Sequence, residues 1–148
     1  MEGERAPRTG GSPGRVLGLD LGQARIGVAI SDPERRLAVP FGTIRTGPPE
    51  DVKAIAAIVG EQQVSAIVVG HPLSMSGRAG EAADHAERFA EALRGFLGLP
   101  VHLQDERLST VQAERDLAAR GLRGQERREV VDQTAAMVIL QAYLDAAR

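Results

Sequence analysis

The chain has 148 residues, 18 Lys and Arg against 20 Asp and Glu, a net charge of −2 and no cysteine. A domain of this size buries a sizeable core; the missing cysteine excludes disulfides, thiolate metal sites and thiol nucleophiles, and no apolar run approaches the roughly 20 residues of a membrane span. The expectation is a cytoplasmic protein with no membrane partner, whose metal ligands, if any, are carboxylates, carbonyls or His71, His85 and His102.

Residues 1–14 are rich in Gly, Pro and charge and lack apolar periodicity, which predicts a disordered arm ahead of one domain over 15–148. Two strands follow at 15–22 and 25–31, joined by a tight turn, and a third at 36–45 completes a meander. Pro48 and Pro49 break the chain before a helix from about Glu50 to Val59, ended by Gly60. Ser65–Gly70 is a short apolar run suited to a strand buried on both faces, and 71–80, with Pro72, Gly77 and Gly80, reads as a loop. Over 81–97, Ala82, Ala86, Phe89, Leu93 and Phe96 fall at helical spacing before Gly98. Val101–Glu106 is another strand. Ser109 with Gln112 fits a capping box opening a helix to about Arg120, and a last helix runs from about Glu126 to Ala147. The string βββαβαβαα describes an α/β domain, a mixed five-stranded sheet with helices on both faces.

Three acids stand in unusual settings. The period of two in the first strand puts Leu17, Leu19 and Leu21 on one face and Val16, Gly18, Asp20 and Gly22 on the other. The second strand repeats this with Ile26, Val28 and Ile30 against Gly27, Ala29 and Ser31. An unpaired carboxylate at Asp20 would meet a desolvation cost of several kcal/mol, which a divalent cation removes; the alternative is a hairpin-end aspartate facing water. Glu106 closes a strand whose other face carries Asp105, at the C-terminal edge where open α/β sheets place ligands. Read alone, it is a surface acid. Asp132 shares a helix face with Ala135, Ala136, Ile139 and Tyr143; the alternative there is interaction with the helix dipole near the N-terminal turn. Together the three suggest a hard-cation site, Mg²⁺ or Mn²⁺, for phosphodiester chemistry.

Seventeen of the 18 basic residues are Arg, with Lys53 the exception. Six of them, Arg107, Arg115, Arg120, Arg123, Arg127 and Arg128, face only Glu114, Asp116 and Glu126 across one segment. Such a segment attracts phosphates or forms a solvated helix face. Phe41, Phe89, Phe96 and Tyr143 are the only aromatics, so base stacking is not an obvious binding mode.

The motif Leu17-Gly-Leu-Asp-Leu-Gly, with Arg25-Ile-Gly-Val-Ala-Ile-Ser-Asp32, is followed by Ile67-Val-Val-Gly-His-Pro-Leu-Ser-Met-Ser-Gly77. Asp105-Glu-Arg-Leu-Ser-Thr110 and Val131-Asp132 with Ala135-Ala136 and Ile139-Leu-Gln-Ala-Tyr-Leu-Asp145 complete the series. From about residue 15 to the C-terminus the chain thereby resembles the YqgF/RuvX family of pre-16S rRNA nucleases, relatives of the RuvC Holliday junction resolvases in the ribonuclease H-like superfamily. The resemblance implies a ribonuclease H-like fold, a metal-dependent nuclease, and metal-binding, catalytic acids at Asp20, Glu106 and Asp132. Arg25 and Arg107 are candidates for phosphate contacts, the arginine segment with Arg123, Arg127 and Arg128 is expected to add nucleic-acid affinity, and Ser109 and Thr110 are expected to cap a helix.

Two departures stand out. His71, Ser74 and Ser76 replace an apolar residue, Asn and Asp in the family's loop, which bears on substrate preference; His71 reads as a ligand, a general acid/base or a solvent-facing loop residue. The resolvases carry a fourth acid where this chain has Ala135, which implies weaker binding of one of two metals. The favoured partner is precursor rRNA, in maturation of the 5′ end of 16S rRNA during ribosome biogenesis. The alternatives are a resolvase of branched DNA and, more remotely, a nucleotide-binding protein of the actin and sugar-kinase type, whose phosphate-binding turn Asp20-Leu-Gly22 also resembles. The helices at 81–97 and 126–147 offer no obvious spare apolar stripe, so a monomer or weak homodimer is expected.

Overall fold

The computed structural model describes residues 13–72, 80–106 and 124–147, with side chains from Glu129 onward in the last segment. Strands β1 (Arg15–Leu21), β2 (Arg25–Ser31), β3 (Ala38–Arg45), β4 (Val64–His71) and β5 (Val101–Asp105) form one sheet in the order β3-β2-β1-β4-β5. The first three make an antiparallel meander, and β4 and β5 run parallel to β1. Helices α1 (Glu50–Gln62) and α2 (Glu81–Leu97) precede β4 and β5, and α3 (Gly124–Ala146) follows the sheet. This is the mixed five-stranded α/β sheet expected from the sequence. The expected helix at 109–120, its cap, and residues 1–12 of the arm lie outside the described residues.

The period of two in β1 and β2 sorts two cores. Leu17, Leu19, Ile26, Val28 and Ile30 point to one face and pack with Ile67 and Val69 against Ile55 of α1 and Ala86, Phe89, Ala90 and Leu93 of α2. Val16, Ala29, Ala66 and Val68 point to the other and meet Ala136, Ile139, Leu140 and Leu144 of α3. Side chains on this second face are small, so α3 approaches the sheet closely. A Cβ added to Gly18 would stand 2.7 Å from Leu140 Cβ, and one added to Gly27 would overlap the Asp132 carbonyl. Gln141 ties the far half of α3 to the β3 edge, its Oε1 accepting from the Ala38 amide at 2.8 Å and its Nε2 donating to the Arg36 carbonyl at 3.0 Å. His102 of β5 stacks on Tyr143 at 5.3 Å on the same face.

Several boundaries differ from expectation. Strand β3 starts at Ala38 rather than residue 36, because Asp32 gathers the preceding turn: its Oδ1 accepts from the Arg36 and Leu37 amides, both at 2.8 Å. These bonds hold the Asp32 carboxyl below its ordinary range, that from Leu37 foremost. Helix α1 passes through Gly60 and stops at Gln63, which takes the left-handed conformation (φ 56°) and donates its N–H to the Val59 carbonyl; a helical glycine costs about 1 kcal/mol, too little to end this helix. His71 belongs to β4 and is not a solvent-facing loop residue. Pro13 and Gly14, at the end of the expected arm, accept hydrogen bonds, the Gly14 carbonyl taking Arg35 Nε at 2.8 Å. Leu37, just before β3, and Val39 and Phe41 within it are exposed, as is Phe96 on α2, one of the positions expected to pack on the sheet. No described helix is long and apolar enough to cross a membrane.

Candidate active site

Asp20 is the penultimate residue of β1 and lies on the α3 face, opposite Gly27 of β2. Glu106 follows β5 directly, its amide donating to the His71 carbonyl at 3.3 Å. Between these strands Gly70 of β4 leaves the room that Glu106 uses: a Cβ there would stand 3.0 Å from the Glu106 carboxyl carbon and 2.7 Å from Ile139 Cδ1. The third acid, Asp132, comes down from α3 over Gly27. All three expected acids therefore converge. The cluster is built from one residue on each of three distant segments, at sites where glycines remove the side chains that would keep them apart.

The electrostatics follow from the placement. Burial, then the neighbouring charges of Glu106 and Asp132, and a side-chain hydrogen bond with Glu106 push the Asp20 carboxyl up to about 8. Burial and the two neighbouring carboxyl groups thus favour the protonated form of Asp20. Asp132 is answered differently: Arg25 Nε donates to its Oδ2 at 2.7 Å, with both side chains about one-fifth exposed. It lies about two turns inside α3, beyond the first turn where the helix dipole acts, so the dipole does not explain this acid. With one carboxylate turned onto an arginine, the described residues contain no ready-made cage of three His, Asp or Glu ligands.

The donor set nevertheless suits a hard divalent cation, three carboxylates of which one is buried beside like charges. A cavity of about 330 Å³, lined by Leu21, Gly70, Ala82 and His85 among others, opens beside Glu106. His71, considered as a ligand, faces α2 instead; its Nε2 lies 2.8 Å from Glu87 Oε2. Arg25 reaches the site, Arg107 and Arg123 lie outside the described residues, and nothing is described of the Arg127 and Arg128 side chains. Sequence reasoning did not find the Arg25–Asp132 pair, which joins residues far apart in the chain.

The RuvX family, described as a Holliday junction resolvase family, matches residues 14–146. A protein of Roseiflexus sp. (strain RS-1) named as a pre-16S rRNA nuclease is 44% identical over 137 residues, 92% of this chain and 97% of that one. One of the same name from Chloroflexus aggregans is 49% identical over 134 residues, 90% and 94% of the two chains. Among solved structures, Thermus thermophilus RuvC in complex with a Holliday junction aligns with a TM-score of 0.52 at 19% identity, covering 90% of this chain and 94% of that one, which shows the ribonuclease H-like fold. The family match spans nearly the whole chain and is not to the nucleotide-binding proteins considered from the Asp20–Gly22 turn. This chain belongs to the RuvX family and is a nuclease with a ribonuclease H-like fold.

Proposed function

We propose that the chain is a cytoplasmic enzyme that hydrolyses phosphodiester bonds in precursor 16S rRNA, using Mg²⁺ or Mn²⁺ held by Asp20, Glu106 and Asp132. The observation that carries the chemistry is the buried carboxyl cluster itself, where burial and the charges of Glu106 and Asp132 push the Asp20 carboxyl up to about 8. A bound divalent cation would activate the attacking water and stabilise the leaving oxygen. The residues do the rest. Asp20, deprotonated, would hold the cation with Glu106 and Asp132, and Arg25, no longer paired with Asp132, would be free to contact a substrate phosphate. Substrate class rests on relatives that match almost end to end and are named for precursor 16S rRNA.

Cleavage of branched DNA is the second reading, favoured by the family's description. Resolving a junction needs two sites across a two-fold axis, and a stable dimer buries about 1,600 Å². The exposed apolar residues Leu37, Val39 and Phe41 occupy one strand edge, which is small for that purpose; we read the chain as a monomer or weak dimer. Incubating the protein and Asp20→Asn with a precursor 16S rRNA fragment and with a four-way DNA junction, in Mg²⁺ and in Mn²⁺, separates the readings. We expect RNA cleavage that Asp20→Asn abolishes; paired symmetric incision of the junction with intact RNA would replace the first reading by the second.

A further inference from the structure

A second groove lies beside the carboxyl cluster, on the side towards β3. It has a volume of about 460 Å³ and is lined by Gln23, Arg25, Thr43, Arg45, Thr46 and Glu129, together with Ala24. Arg25 and Arg45 stand directly opposite one another across β2 and β3, and Thr43 stands opposite Gly27. Gly27 faces Asp132, so by the period of two Arg25, Thr43 and Arg45 lie on the face of the sheet that carries Asp20.

Like charges directly opposite on antiparallel strands, with Cβ atoms about 5 Å apart, destabilise a sheet. Neither arginine is fully satisfied within the fold. Arg25 donates one hydrogen bond, from Nε to Asp132, which leaves its two terminal nitrogens without an acceptor among the described residues. Arg45 is exposed and has neither hydrogen bond nor ion pair among the described residues. Thr46, by contrast, donates to the Gly22 carbonyl at 2.9 Å and thereby holds the turn. Glu129 lines the groove on the α3 side. Gln23 and Thr46 also line the cavity that contains Glu106, so the two depressions meet over the β1–β2 turn, with the carboxyl cluster alongside.

We propose that this groove binds a backbone phosphate of the substrate strand next to the one being cut, with Arg45 as its main cation and Thr43 and the terminal nitrogens of Arg25 as further donors. The proposal rests on the nuclease reading above and adds the path of the strand: from the cavity at Glu106, over the turn, to Arg45. A phosphate between the two guanidinium groups turns their repulsion into two charge-assisted contacts. Arg45 acts on binding; it does not touch the reacting atoms.

The test is equilibrium binding of a fluorescently labelled single-stranded RNA oligonucleotide to the full chain in EDTA, measured across a salt series, with cleavage kinetics in Mn²⁺ alongside. Arg45→Ala should weaken binding roughly tenfold and flatten the slope of log affinity against log salt by about 0.7. In cleavage it should raise KM with little change in kcat. Arg45→Lys should restore the salt slope, and Lys53→Ala, an exposed charge on α1, should leave both measurements unchanged. The melting temperature of Arg45→Ala should not fall, because no contact within the fold is lost. Wild-type affinity and slope in Arg45→Ala, with RNA cleavage intact, would overturn the phosphate site and leave the nuclease reading standing. Arg45-dependent binding without cleavage of any strand would support the site and remove the nuclease reading.

Discussion

Strand β1 presents Leu17 and Leu19 to α1 and α2, and Val16, Gly18 and Asp20 to α3. Its neighbours repeat the contrast: Ile26 and Val28 against Gly27 and Ala29 in β2, Ile67 and Val69 against Val68 and Gly70 in β4. The first face is filled by large side chains meeting Ile55, Phe89 and Leu93, and its contribution is burial, worth about 1.5–3 kcal/mol for each such residue. The second face gives up apolar area. In return the backbone of α3 comes close enough for a helix side chain to meet acids from β1 and from the end of β5. One side of the sheet holds the fold together, and the other sets the distances among the carboxyl groups.

The two faces should respond differently to damage. Leu93→Ala, on the α1/α2 face, opens a cavity at a fully buried position and should cost about 2–5 kcal/mol of stability. Its cleavage rate per folded molecule, measured well below its melting temperature, should stay near wild type. Gly27→Ala places a methyl group against the Asp132 backbone, which has no flexible end to yield. It should cost less stability, about 1–3 kcal/mol, and yet lose most of its cleavage because α3 and Asp132 are displaced. Equal loss of activity in the two variants at matched fraction folded would dissolve the distinction between the faces.

The same contrast governs what could be read in the sequence. Alternation in β1 and β2 was legible because buried strands carry a period of two, and α2 was legible because Ala86, Phe89 and Leu93 keep helical spacing before Gly98, which adopts φ 69° and ends the helix. Each acid is weak evidence alone, and together the three suggest a cation site that the family resemblance sharpens; their convergence depends on Gly27 and Gly70, whose role shows only when α3 and Glu106 are in place. Boundaries set by tertiary contacts escaped: Asp32 delays β3, and α1 outruns Gly60. Nothing in the sequence pairs Arg25 with Asp132 or distinguishes Arg45 from the other arginines. Cross-strand neighbours of this kind depend on register, which a single sequence specifies weakly where residues are polar on both strands.

Binding of a cation by the acids on the α3 face, as proposed above, has a direct thermodynamic signature. In the cation-free fold Asp20 is raised to about 8 from an ordinary value of 3.8. The folded protein thus keeps a proton at pH 7 that the unfolded chain has lost. The stability this proton confers is complete below about 4 and falls as the pH rises through about 8. A cation bound by the carboxylates must displace the proton. Calorimetric titration of Mn²⁺ at pH 7, repeated in buffers of different ionisation enthalpy, counts protons released per ion. About one proton is expected at pH 7, close to none at pH 9, and loss of the release in Asp20→Asn. Binding of Mn²⁺ without proton release at pH 7, or with the same release in Asp20→Asn, would contradict the proposed cation site.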